Sequence, residues 1–301
     1  MYIPQSIYKT VKNKLEFDSE QLFLSCKEIN NLVSEFLDLY EYQLSEKKQY
    51  SNAEIIAILY ALTFALKSFS LAIKDNVAFP AAFLMGLQSL FASISNAIVS
   101  ICILLKRGLY HPASTILRNI YELCFTLLNI LIDEEKRYEY TSNKELIMKR
   151  GKWRKHFSFK SLNDTIKEYE TSIADGKLGF MSDLRNRAYA WYSSSAHNGY
   201  AHLVCGSFIA EQQNEEGSFL SLNVGGIPNE RIFLSRLIDL DDFLFYTTKM
   251  LLKLLAFQNG RIDPKDIVKE ESMEMWLQSQ VLNCLAEEMY LIAKMDYEMN
   301  S

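Results

Sequence analysis

Thirty consecutive residues, Asn76 to Leu105, carry no formal charge, and this run decides what kind of chain this is. A stretch of that length can cross a bilayer, for which about 20 apolar residues suffice, or it can form the inner helix of a bundle. Its polar residues discriminate. Ser89, Ser93, Asn96 and Ser100 recur at i, i+4, i+7 and i+11, and Arg107 continues the stripe. A helix with one small, polar side and apolar remaining sides suits the middle of a bundle, touched by neighbours all round. The next apolar segment holds Arg118 and Glu122 in mid-span, where lipid would make both costly. A soluble bundle with no membrane partner is expected.

Glycine (11) and proline (5) are scarce in a chain of 301 residues. Chains of many turns and short strands need more of both, which argues against a β-sandwich, a barrel or a glycine-rich nucleotide loop. The fold class is mainly α, a multi-helix bundle with at most one small β-hairpin near 203–226. The five cysteines (Cys26, Cys102, Cys124, Cys205, Cys284) are scattered, odd in number and without C-x-x-C spacing. With no charged segment leading into an apolar stretch at the start, they point to reduced thiols and the cytoplasm.

Apolar spacing divides the chain into three parts. Residues 1–50 hold an N-terminal helix. Residues 51–202 form a central helical bundle, which opens on the capping box Ser51-Asn52-Ala53-Glu54. Its core helices are 51–75, 80–107 and 111–133, and more polar ones follow at 134–150, 159–175 and 180–198. Residues 203–301 begin with two β-like runs, Leu203–Ala210 and Ser218–Val224, which form a hairpin or a long loop. Two long helices, 228–258 and 264–297, then pack on the bundle or on a second subunit. Leu237, Leu240, Phe243, Leu244, Met250, Leu251, Leu254 and Leu255 exceed what one exposed amphipathic helix needs, so a homo-oligomer or another protein partner is expected.

Three groups of residues can carry chemistry. Arg118 and Glu122 share one face of an otherwise apolar helix and can pair, with Asn129 further along that side. Burying such a pair is a poor source of stability, so its presence suggests a packing device or a site. Tyr189, Ser193 and His197 fall one helical turn apart. A phenol, a hydroxyl and an imidazole on one stripe make a proton-transfer surface with His197 as acid or base, or else two partners for a structural histidine. The third group is the basic run Lys149-Arg150-Gly151-Lys152-Trp153-Arg154-Lys155-His156, where Lys and Arg can hold phosphates and Trp153 can stack on a base.

The Arg107-Gly108 helix end, Arg118-x-x-x-Glu122 and Tyr189-x-x-x-Ser193-x-x-x-His197 together resemble a bacterial family known only as a domain of unknown function. The resemblance covers roughly residues 80–205. It implies a helical fold and the convergence of Arg118, Glu122, Tyr189, Ser193 and His197 in one site, and it implies no activity. Arg150-x5-His156 is more weakly similar to the R-x(4–6)-H ribonucleases of helical bacterial toxin and defence proteins. That similarity implies a dimer cleft in which a cation stabilises the phosphorane and a histidine moves the proton.

Other chemistries lack their signatures. There is no G-x-x-x-x-G-K-[ST], G-x-G-x-x-G, H-E-x-x-H or G-x-S-x-G. Scattered histidines and cysteines offer no metal spacing, and Asp241-Asp242 and Glu287-Glu288 are expected on exposed helix faces. No cofactor and no metal are expected. Two functional classes follow. One is an interaction or sensor/effector protein of a bacterial stress or phage-defence system. The other is a metal-independent ribonuclease that uses His197 or His156, with RNA as its partner.

Overall fold

A computed structural model gives the fold and describes residues 62–63, 65–73, 79–141, 150–172, 186, 189–190, 192–193, 208–213, 217–222, 226, 230–255, 261–273, 276 and 279. A helical segment over 65–72 precedes α1 (Ala81–Lys106), α2 (Tyr110–Ile132), α3 (Glu134–Thr141), α4 (Arg150–Phe157) and α5 (Phe159–Ser172). The hairpin β1 (Phe208–Gln213) and β2 (Gly217–Leu222) separates these from α6 (Glu230–Leu254), α7 (Pro264–Ile267) and a 3-10 turn, Glu270–Ser272. The fold is a multi-helix bundle carrying one small antiparallel hairpin, in register from Phe208 opposite Leu222 to Gln213 opposite Gly217.

Pro80 sets the start of α1, and its carbonyl accepts from Phe83 N at 2.8 Å. The helix stops in a Schellman motif: Leu109 N donates to Leu104 O (2.9 Å) and Gly108 N to Leu105 O (3.0 Å). That closure needs a left-handed residue, which Gly108 supplies with φ 70°. Gly226, also left-handed at φ 82°, comes so close that an added Cβ would lie 1.9 Å from the Arg107 carbonyl oxygen. The chain after the hairpin is thereby seated on the C-terminus of α1.

The centre of the bundle is α2, which packs against α1, α3, α5 and α6. Leu117, Ile120, Cys124, Leu127, Leu128 and Leu131 are fully buried, and a helix apolar on most sides needs such cover. Both α1 and α2 are long and apolar enough to cross a membrane. The small polar stripe of α1 is not enclosed as the sequence suggested. Ser89, Ser93, Asn96 and Ser100 lie on its outer face with Met85, Val99 and Ile103, while Leu84, Leu87, Phe91, Ile94, Ile98 and Ile101 turn inward. The larger apolar residues bury more surface per side chain, so they take the core side.

Two further expectations change. The apolar positions of α6, from Leu237 to Leu255, are buried within the chain, because α6 packs on α2 and α1. They are consumed internally and give no reason for a second subunit. The helix expected over 264–297 breaks early: Val268 is extended (φ −100°, ψ 136°) and forms an isolated antiparallel bridge with Ile73. Lys269 N donates to Ala72 O at 3.0 Å, a tertiary bond that local helical preference does not encode. Trp276, fully buried, then packs on Phe69 with ring centroids 4.6 Å apart.

Candidate functional site

Arg118 and Glu122 stand one turn apart on α2 and pair at 2.9 Å between a terminal guanidinium nitrogen and Oε1. The expected desolvated pair is only half realised, for the Arg118 side chain is 20% exposed and that of Glu122 44%. The reason is position: exposed Thr115 and Asn119 share this flank of α2, so the pair sits at the edge of the packed surface.

Tyr189 reaches the pair from the other side. Its hydroxyl donates to Glu122 Oε1 at 3.5 Å, and the Arg118 guanidinium carbon lies 5.8 Å from its ring centroid. The Tyr189 ring stacks on Phe159 of α5, nearly parallel, with centroids 3.5 Å apart. This stacking holds the phenol against α2. Arg118 Nε is shut away from solvent and has no acceptor. Ser193 is helical and half-buried. His197 lies outside the described residues, so of the five convergent positions the structure brings together Arg118, Glu122 and Tyr189.

A polar network beside this cluster was missed at the sequence level. The Tyr192 hydroxyl donates to Asp239 Oδ2 on α6, and Arg236 donates to both, at 3.1 Å to the phenol oxygen and 3.3 Å to the carboxylate. Burial, reinforced by the Asp239 charge, pushes the Tyr192 phenol well above its usual range, so it stays protonated and serves as a donor. Tyr121 packs edge-on against Tyr192 at 5.5 Å and against Phe243 at 4.0 Å. Its hydroxyl is buried without a partner. Arg236-x-x-Asp239 was legible as a helical ion pair. Nothing local linked it to Tyr192, which lies 44 positions away from Arg236.

Asp241 corrects another expectation. It is buried rather than exposed, its Oδ1 has no partner, and burial plus the neighbouring Asp242 charge raises its carboxyl well above the ordinary range.

Arg150 to His156 of the basic run lie in α4 in spite of Gly151, whose Cβ position is open space. Arg154 and Lys155 are exposed, and Lys155 reaches Glu135 at 3.4 Å. His156 is buried and does not belong to the exposed basic face. Arg150, Lys152 and Trp153 lie on the same helix, but their side chains are outside the described residues. Among the described residues no three His, Cys, Asp or Glu side chains gather as a metal site.

A family model matches this region. It is described as a family of unknown function (DUF5677) and covers residues 84–216, less than half of the chain. The match runs from the first turn of α1 to the residue before β2, so it includes Arg118, Glu122 and Tyr189 together with the packing that joins them. The DUF5677 match fits a helical protein of unknown function and assigns no chemistry. No curated protein and no solved structure matches the chain.

Proposed function

We propose that the chain is an interaction or sensor/effector protein whose ligand face is the Arg118–Glu122–Tyr189 cluster. One observation carries this: Arg118 Nε is buried and unmet while its partner Glu122 remains open to solvent. A buried donor without an acceptor costs about 1–3 kcal/mol. A ligand that offers an acceptor to Arg118 and a donor to Glu122 relieves that cost and uses both groups. The same reading takes α1 and α2 as core helices of a cytoplasmic protein, supported by the burial of most of α2 and by the charged pair in its middle. A stress or phage-defence setting, and assembly with a second copy or another protein, belong to this reading as its cellular context.

Thermal-shift measurements against a panel of metabolites and nucleotides test it, with Arg118→Lys as the control. The expected result is a compound that raises the melting temperature of the wild type and not of Arg118→Lys, because lysine keeps the charge and loses the Nε donor. Equal responses of both proteins to every compound would overturn it. Cleavage of single-stranded RNA in the presence of a chelator, lost in His197→Gln, would instead support the metal-independent ribonuclease.

A further inference from the structure

We infer that Tyr192 is the positioning residue of the ligand face: latched to Asp239 and Arg236 of α6, it sets where Tyr189 stands against Arg118 and Glu122. This rests on the reading of the Arg118–Glu122–Tyr189 cluster as a ligand face. It adds that α6, which contributes no residue to that cluster, fixes its geometry.

Tyr189 and Tyr192 stand three positions apart, both in helical conformation. One turn, with a rise of about 4.5 Å, separates them, and they lie on one side. That side meets two successive residues of α2. Tyr121 packs edge-on against Tyr192 with ring centroids 5.5 Å apart, and Glu122 Oε1 accepts from the Tyr189 hydroxyl at 3.5 Å.

The two tyrosines are held unequally. At Tyr189 the polar hold is weak, because 3.5 Å lies beyond the usual range of a hydrogen bond and the accepting side chain is 44% exposed. Its other support is the stack on Phe159, which fixes the plane of the ring more than its place within that plane. Tyr192 is buried. Its hydroxyl donates to Asp239 Oδ2 and accepts from Arg236 at 3.1 Å, and the guanidinium carbon lies 5.4 Å from its ring centroid. Arg236 and Asp239 also pair with each other at 3.3 Å. Hydrogen bonds to charged partners are about twice as strong as neutral ones. Anchoring Tyr192 therefore places the backbone of Tyr189 one turn away, and the stack then settles its ring beside Arg118.

A purely structural Tyr192 and a positioning Tyr192 differ in one observable. Loss of the hydroxyl from a purely structural residue lowers stability and leaves Tyr189 unchanged in the molecules that remain folded. Loss from a positioning residue moves Tyr189 within the folded molecules themselves.

The test uses the full chain, without ligand, carrying 13C in its tyrosine rings. The Tyr189 ring signals are assigned by their loss in Tyr189→Phe, and the ring current of stacked Phe159 displaces them from the position of a free tyrosine. Tyr192→Phe keeps the ring against Tyr121 and removes only the hydroxyl. It should move the Tyr189 signals toward the free position, and Asp239→Asn, which weakens the latch, should move them the same way by less. The Asp239 side chain is 39% exposed, so Asp239→Asn reads the latch even if Tyr192→Phe does not fold. Ile73→Val, a core truncation at the bridge to Val268, should lower the melting temperature and leave the Tyr189 signals in place. The proposal is overturned if neither latch variant moves the Tyr189 signals, or if Ile73→Val moves them as far. No ligand enters the measurement, so failure to find one bears on the proposed function and not on this result.

Discussion

Lys136 Nζ donates to Asn129 Oδ1 at 2.7 Å, across the break at Asp133 where α2 ends and α3 begins. The same ammonium donates to Ser161 O at 2.8 Å and to Thr165 Oγ1. The Asn129 amide donates to Phe125 O at 2.9 Å and Leu162 O at 3.0 Å. Three ammonium protons and two amide protons thus join α2, α3 and α5 at one buried point. Asp133 aids the turn, its Oδ1 accepting from Lys136 N at 3.1 Å, which caps α3.

Removing either partner should therefore be unequal in cost. Lys136→Met leaves Asn129 Oδ1 unmet in the core and should cost about 1–3 kcal/mol. Asn129→Leu takes one of the three acceptors of the Lys136 ammonium together with both amide bonds, to Phe125 O and Leu162 O, and should cost more than that. The double variant should recover much of the loss. Urea denaturation of the four proteins checks this, and simple addition of the two single effects would show that the residues do not act as a unit.

The sequence showed the core of α2 through its apolar spacing, and it showed the Arg118–Glu122 pair because i and i+4 meet on any helix. It marked Asn129 but not Lys136, because a lysine in the polar segment Glu134-Glu135-Lys136-Arg137 reads as solvated until three acceptors are found around it. Tyr192 with Asp239, and Val268 with Ile73, are contacts across the fold. Such pairings leave no periodic trace in the chain. The exposure of Glu122 also depended on how α5 and Tyr189 leave that flank of α2 open.

Glu122→Ala should cost about 1 kcal/mol, the upper end for a surface pair, because the carboxylate stays half open to solvent while Arg118 is mostly covered. Its side chain is 44% exposed and it contributes one bond to Arg118 and a long one to Tyr189. Chemical denaturation measures it. A loss several times larger would mean that the pair is sealed in the assembled protein.

Cys102 and Cys124 are both buried and free, and burial pushes each thiol up to about 12. The thiolate is the reactive form, so at pH 8 neither should react with a thiol reagent while the chain is folded. Both should react once it is denatured. Mass spectrometry of labelled peptides reads the two sites separately, and rapid native labelling of either would show that its helix opens to solvent.

Asp241 gives a pH dependence of definite sign. Burial and the Asp242 charge raise its carboxyl in the folded chain, whereas the unfolded value lies near the ordinary 3.9 or so. Between those two values the folded protein holds a proton that the unfolded chain has lost. Stability must then fall as pH rises through that window, and the penalty is complete above the raised value. Asp241→Asn removes the titration and loses no hydrogen bond at Oδ1, which has no partner. The variant should therefore gain on the wild type steadily from about pH 4 upward, by up to about 1.4 kcal/mol per pH unit until the raised value is reached. Paired denaturation curves at several pH values, wild type against Asp241→Asn, isolate this residue because the other titrating groups cancel. A difference independent of pH would show that Asp241 carries the same charge in the folded and unfolded chains.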